Sequence, residues 1–146
     1  MHATDVVAVI AVQNAYAVAL DRRDWPALRA CFAEDATIRF GIPLREGTRE
    51  EFMAWAPEFH DVLGPTLHQV STHSVELDGD TASASAYLHA VLVAADGGSA
   101  QSIFGRYEDE LVRGGGGWAI RRRRFRAVWR TPGAAVPAAP AADPQP

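Results

Sequence analysis

The spacing of apolar and polar residues changes near residue 65, from a helical period to a strand-like one. Between Thr4 and Leu20, Val6, Ile10, Gln13, Ala17 and Leu20 recur every three or four positions with Tyr16 beside them. This spacing predicts an amphipathic helix capped by Thr4 or Asp5. Asp24 then caps a shorter helix with Pro26 in its first turn, where a missing N–H costs nothing, and Ala27, Leu28, Cys31 and Phe32 face inward. Thr37 to Phe40 reads as a short strand, after which Gly41, Pro43 and Gly47 break the pattern. A third helix is expected over Thr48 to Val62, opened by a Thr48 and Glu51 capping box and carrying Phe52, Trp55 and Phe59 on one side.

Beyond Pro65 the alternation has period two. Thr66 to Leu77 runs to Asp78-Gly79-Asp80, a hairpin turn, and the chain returns through Thr81 to Ala94 before Asp96-Gly97-Gly98. Ser102 to Arg113 and Trp118 to Arg130 follow, joined by Gly114 to Gly117. Helices first and a meander of strands afterwards define an α+β domain: a cone-shaped curved antiparallel sheet wrapped around N-terminal helices. Tyr87 and His89 share one strand face and Ala82, Ala84, Ala86 and Leu88 the other, and the pattern does not say which is inner. Strict alternation puts His73 on the face opposite His68. The domain is expected over residues 1–130. Residues 131–146 hold five of the nine prolines and few large apolar groups, the composition of a disordered tail.

With 146 residues there is room for one domain with a real core. No apolar run approaches the roughly 20 residues of a membrane span, and the N-terminus has no basic region ahead of an apolar stretch, so the expected location is the cytoplasm. Cys31 is the only cysteine, which excludes an internal disulfide and a thiolate zinc site. All 14 basic residues are Arg, so lysine Schiff-base chemistry is impossible. A net charge of -4 argues against general nucleic-acid binding. The Arg121 to Arg124 run falls opposite Glu108, Asp109 and Glu110 across the last hairpin, where cross-strand ion pairs account for it. No His, Asp or Glu pair has helix-face metal spacing, and no metal or other cofactor is expected.

Several separated motifs fall in a recognisable order: Tyr16 to Trp25, Leu28, Cys31 to Thr37, Val75 to Ala82, and Gly105 to Asp109. Together they resemble the SnoaL-like branch of the nuclear-transport-factor-2-like superfamily over about residues 5 to 130. The resemblance implies a cystatin-like α+β barrel with an internal pocket, usually dimeric, among relatives that include ketosteroid isomerase, scytalone dehydratase, limonene epoxide hydrolase, polyketide cyclases and non-catalytic subunits. It places Tyr16 where the isomerase has its oxyanion-binding tyrosine, and Phe40 where it has its general-base Asp. The isomerase's second oxyanion carboxyl falls near Glu108, with Tyr107 the rival one residue away. Against scytalone dehydratase, Asp21 and His68 match catalytic residues, Leu20 and Phe40 replace its tyrosines, and Leu92, with His89 three positions off, replaces its second histidine.

An imidazole that titrates near neutrality suits His68 for moving a proton at a carbon acid or a β-hydroxy carbonyl. Asp21, at the disfavoured negative end of a helix, needs compensation from Arg22, Arg23 or a histidine, and pairing with a histidine would orient that base. Tyr16 is a candidate donor to a developing enolate, and Glu108 a further candidate acid. Trp25, Phe40, Trp55, Phe59, Tyr87, His89 and Tyr107 are the candidate substrate-binding wall. The expected function is a cofactor-independent dehydratase, cyclase or isomerase acting on a small polyketide-like or aromatic metabolite, as a homodimer, with neither nucleic acid nor membrane as partner. The rival readings are a non-catalytic binding or partner subunit and an epoxide-opening enzyme, which needs an acid carboxyl beside a water or hydroxyl.

Overall fold

The computed structural model describes residues 2–41 and 43–131. Helix α1 (His2–Arg22) buries Val9, Gln13, Tyr16 and Leu20, so the inner stripe passes through Val9, with Val6 and Ile10 only partly covered. The helix begins two residues before Thr4. Asp5 sits in its first turn and accepts hydrogen bonds from the Trp118 indole (3.2 Å) and Arg113 (2.7 Å), pinning α1 to the far end of the sheet. By length and composition α1 could cross a membrane, contrary to the expectation from apolar runs, yet in the fold its stripe is core. α1 ends at Arg22, and Arg23 enters the left-handed region at φ 56°.

Asp24 caps helix α2 (Trp25–Ala30) by accepting the Ala27 N–H, with Pro26 in the first turn. Strand β1 (Phe32–Phe40) starts five residues earlier than expected, because Phe32 already extends the chain. The Gly41, Pro43 and Gly47 segment holds a further short strand, β2 (Arg45–Thr48), paired antiparallel to β1. Helix α3 (Arg49–Asp61) opens with the reciprocal Thr48 and Glu51 capping box. Four long strands complete the chain: β3 (Leu63–Asp78), β4 (Thr81–Ala94), β5 (Ala100–Gly114) and β6 (Gly117–Arg130).

The sheet order is β2-β1-β6-β5-β4-β3, an open six-stranded sheet curved over the helices. It is not wholly antiparallel: β1 runs parallel to β6, because the chain crosses from the first strand to the other edge and meanders back. Ala82, Ala84, Ala86, Leu88, Ala90 and Leu92 form the inner face of β4, and their small volume lets the helices approach. Tyr87 and His89 point outward, where His89 stacks on Phe104 at 4.2 Å between centroids.

Alternation along β3 is broken by a bulge between Ser71 and Ser74, with Thr72 at φ 52°. His68 and Val70 face the helices before it, and His73, Val75 and Leu77 face them after it. The expected opposition of His68 and His73 is thereby corrected. A second irregularity falls at Gly105, where a Cβ would lie 2.3 Å from the Arg126 carbonyl and 2.7 Å from the Phe125 ring. Only glycine permits that ring to cover the strand. Of the tail expected over residues 131–146, all but the first residue lies outside the described residues. Its expected first residue, Thr131, is tied to Ser102 by two hydrogen bonds.

Candidate active site

Asp21 leaves the last turn of α1 facing the start of β3. Its Oδ1 lies 2.7 Å from His68 Nδ1 and accepts the Thr66 hydroxyl at 3.0 Å, while Oδ2 accepts the His68 backbone N–H at 2.8 Å. Burial raises the carboxyl's pKa, but the hydrogen bonds from His68 and Thr66 outweigh that and hold it below its ordinary value. An ionised carboxylate only accepts, so Nδ1 carries a proton, and in the neutral ring Nε2 is the lone-pair nitrogen. Arg23 does not pair with Asp21; it donates to Thr66 Oγ1, the Leu20 carbonyl and the Gly64 carbonyl, fastening the helix end to β3.

The His68 ring lines a cavity of about 120 Å³ between the helices and the sheet. Its wall is aromatic and aliphatic: Tyr16, Phe40, Phe52, Trp55, Phe59 and Tyr107 stand around a floor of Leu88, Ala90 and Leu92. Tyr16 and Tyr107 are buried edge to face at 5.6 Å, and burial raises both phenols above their ordinary range, so both are neutral donors at physiological pH.

Among the residues expected at the site, Asp21, His68, Tyr16, Phe40, Trp55, Phe59 and Tyr107 are therefore gathered at this cavity or against it. Trp25 lies one ring further out, 6.0 Å from His60. Glu108 does not reach the cavity, because β5 turns Tyr107 and Asp109 inward and Glu108 outward, to Arg124 (4.0 Å) and Arg126 (3.9 Å). Tyr87 and His89 are likewise excluded from the wall by the outward face of β4.

Two residues were missed. His60, 3% exposed, gives Nδ1 to the Ala56 carbonyl at 2.7 Å and lies 6.2 Å from the His68 ring. Burial depresses its pKa to about 4, so it is neutral. Its signal was the i, i+4 step from Ala56 on the inner side of α3. Arg123 is the second. The cross-strand register Glu108–Arg124, Asp109–Arg123, Glu110–Arg122 matches the expected pairing, but alternation sends only the middle pair inward. Asp109 and Arg123 are buried and paired side-on at 2.7 and 2.8 Å, whereas the flanking pairs are exposed and 3.9 to 4.0 Å apart.

Comparison with known proteins agrees with this architecture. A family model described as a SnoaL-like domain matches residues 1–124. The chain belongs to the SnoaL-like family. Its fold is similar to a protein of Novosphingobium aromaticivorans provisionally assigned as an aromatic ring hydroxylase, at TM-score 0.80 and 28% identity over 90% of this chain and 92% of that one. A provisionally assigned scytalone dehydratase of the same organism aligns at TM-score 0.81 and 21% identity, over 99% of this chain and 100% of the other. The Kfla4162 protein of Kribbella flavida aligns at TM-score 0.81 and 23% identity, over 90% and 95%. No curated protein sequence matches the chain. Among the described residues of this SnoaL-like protein, no three His, Cys, Asp or Glu side chains gather as a metal ion would require.

Proposed function

We propose that this chain is a cofactor-independent acid/base enzyme, a dehydratase, cyclase or isomerase acting on a small polyketide-like or aromatic metabolite of secondary metabolism. The observation that carries the reading is the Asp21–His68 pair, whose lone-pair nitrogen belongs to a ring lining an apolar cavity. A volume of about 120 Å³ is of the order that a single aromatic ring fills. His68 Nε2 takes the proton from a carbon next to a carbonyl, and the ionised Asp21 stabilises the resulting imidazolium. In a dehydration the imidazolium then returns that proton to the departing β-hydroxyl, so water leaves and the base is regenerated. The Tyr16 phenol, which lines the same cavity, polarises the carbonyl. A fold shared with a provisionally assigned scytalone dehydratase is consistent with this chemistry.

The epoxide-opening alternative lacks support, since among the described residues no Asp or Glu lines the cavity. The aromatic-walled cavity also admits one second reading, an aromatic-binding partner subunit without turnover. We place the protein in the cytoplasm as a homodimer joined through the outer sheet face, with neither nucleic acid nor membrane as partner. On that face Tyr87, Phe104, Val128 and Trp129 stand exposed.

His68→Gln separates the readings. It keeps size and hydrogen bonding but cannot exchange a proton, so turnover of β-hydroxy aryl ketones should fall about 10²-fold or more with affinity little changed. Wild-type turnover by that variant would remove His68 as the base.

A further inference from the structure

We propose that the free edge of the Arg123 guanidinium is the polar end of the cavity and selects ligands that present a delocalised oxyanion, a phenolate or an enolate. Three sides of the guanidinium are taken. Nε and Nη2 bind the two oxygens of Asp109, and the faces are covered by Tyr107 and Tyr16, whose ring centroids lie 3.9 and 4.3 Å from Cζ. Nη1 projects from the opposite edge, is fully buried, and has no hydrogen-bond partner among the described residues. The guanidinium lies near enough to the Tyr16 hydroxyl to lower that phenol's pKa against the larger effect of burial, without closing a hydrogen bond on Nη1. Arg123 is itself 1% exposed and lines the cavity. A buried charged donor left unmade is costly, and native folds retain one where a ligand completes it.

Rotation of the fork cannot relieve it. Asp109 is held from behind by Gln13 Nε2 at 2.9 Å, and Gln13 Oε1 is held by His73 Nδ1 at 2.7 Å, a row that the bulge at Thr72 brings onto the inner face. The carboxylate also neutralises the guanidinium, so the cavity end offers strong N–H donors without net positive charge. Such a donor suits an oxygen whose charge is spread into a ring or an enone better than a compact, multiply charged phosphate. The apolar walls complement the rest of such a ligand. This inference rests on the proton-transfer reading in one respect: a base that makes an enolate requires a donor to hold its oxygen.

The test is direct binding, by equilibrium dialysis, of 4-nitrophenol at a pH where it is ionised, against nitrobenzene as its neutral counterpart. Wild type and His68→Gln should both prefer the phenolate by about tenfold or more, the range expected of one charge-assisted hydrogen bond. Arg123→Lys keeps an ion pair with Asp109 but loses the second edge, and Arg123→Gln with Asp109→Asn keeps a hydrogen-bonded neutral pair. Both should lose the preference while keeping affinity for nitrobenzene. Equal binding of the two probes by wild type overturns the assignment without any variant, as does a preference that survives in either folded variant. Failure of the proton-transfer reading looks different: phenolate selection would persist while His68→Gln turned over at the wild-type rate.

Discussion

His68 and His73 lie five residues apart on one strand and face the same side of the sheet, because Thr72 bulges between them at φ 52°. The extra residue turns what would be an outward histidine into the half-buried anchor of Gln13. It also keeps Val75 and Leu77 in the core beside Val70.

Deleting Thr72 should therefore restore plain alternation and turn His73, Val75 and Leu77 outward, costing several kcal/mol and abolishing cooperative unfolding near room temperature. Thr72→Asn, which tolerates the left-handed conformation better than a β-branched side chain, should leave stability unchanged or raise it by about 0.5 kcal/mol. Denaturant midpoints check both; a stable deletion variant would mean that the strand can slip without loss.

His60 should make stability depend on pH in a defined window. Its folded-state value of about 4 lies below the ordinary 6.5, so between these values the unfolded chain binds more protons. Stability should fall as pH drops from about 6.5 towards 4, by on the order of 3 kcal/mol in all. In His60→Gln the slope over that window should flatten. Asp21 contributes in a separate, more acidic range, since its lowered carboxyl loses its stabilisation only as pH falls through the folded value.

The tautomer of His68 can be read from its ring nitrogens. Nitrogen NMR shifts in the wild type should show a protonated Nδ1 and a lone pair on Nε2, and Asp21→Asn should mix the two tautomers. Where a turnover assay exists, Asp21→Asn should slow the reaction less than His68→Gln, because it disturbs the base without removing it. A wild-type protein with its proton on Nε2 would contradict the assigned base.

Asp109→Ala should be among the most destabilising single changes, at about 3 to 5 kcal/mol, because it strands a buried guanidinium. Glu110→Ala and Glu108→Ala, which touch only exposed arginines near 4 Å, should each cost less than about 1 kcal/mol. Thermal melts of the three variants give the comparison.

For the proposed homodimer, replacing Tyr87 and Trp129 by serine on the outer sheet face should shift sedimentation at micromolar concentration from dimer to monomer. The monomer should keep its fold, since neither side chain is in the core. A wild type that sediments as a monomer would remove this face as a self-interface.

What the amino-acid order determined alone was whatever depends on neighbours along the chain. The Asp24 cap, the Thr48 and Glu51 capping box, the glycine turns at Gly79, Gly97 and Gly117, and the pairing of the arginine run with Glu108 to Glu110 are all local, and all are present. Motif order added the α+β cone and the approach of Asp21 to His68. Long-range packing decided the rest. The parallel pairing of β1 with β6 joins residues nearly ninety positions apart, and nothing near either strand encodes it. The inner face of β4 follows from where the helices lie, and with it the outward placement of Tyr87 and His89. A single bulged residue reversed His73, and alternation together with the register shift at Arg121 left Arg123 alone among the four arginines pointing inward. A strand pattern of period two is symmetric between its faces until something packs on one of them, so only the tertiary structure could reveal the buried arginine at the cavity.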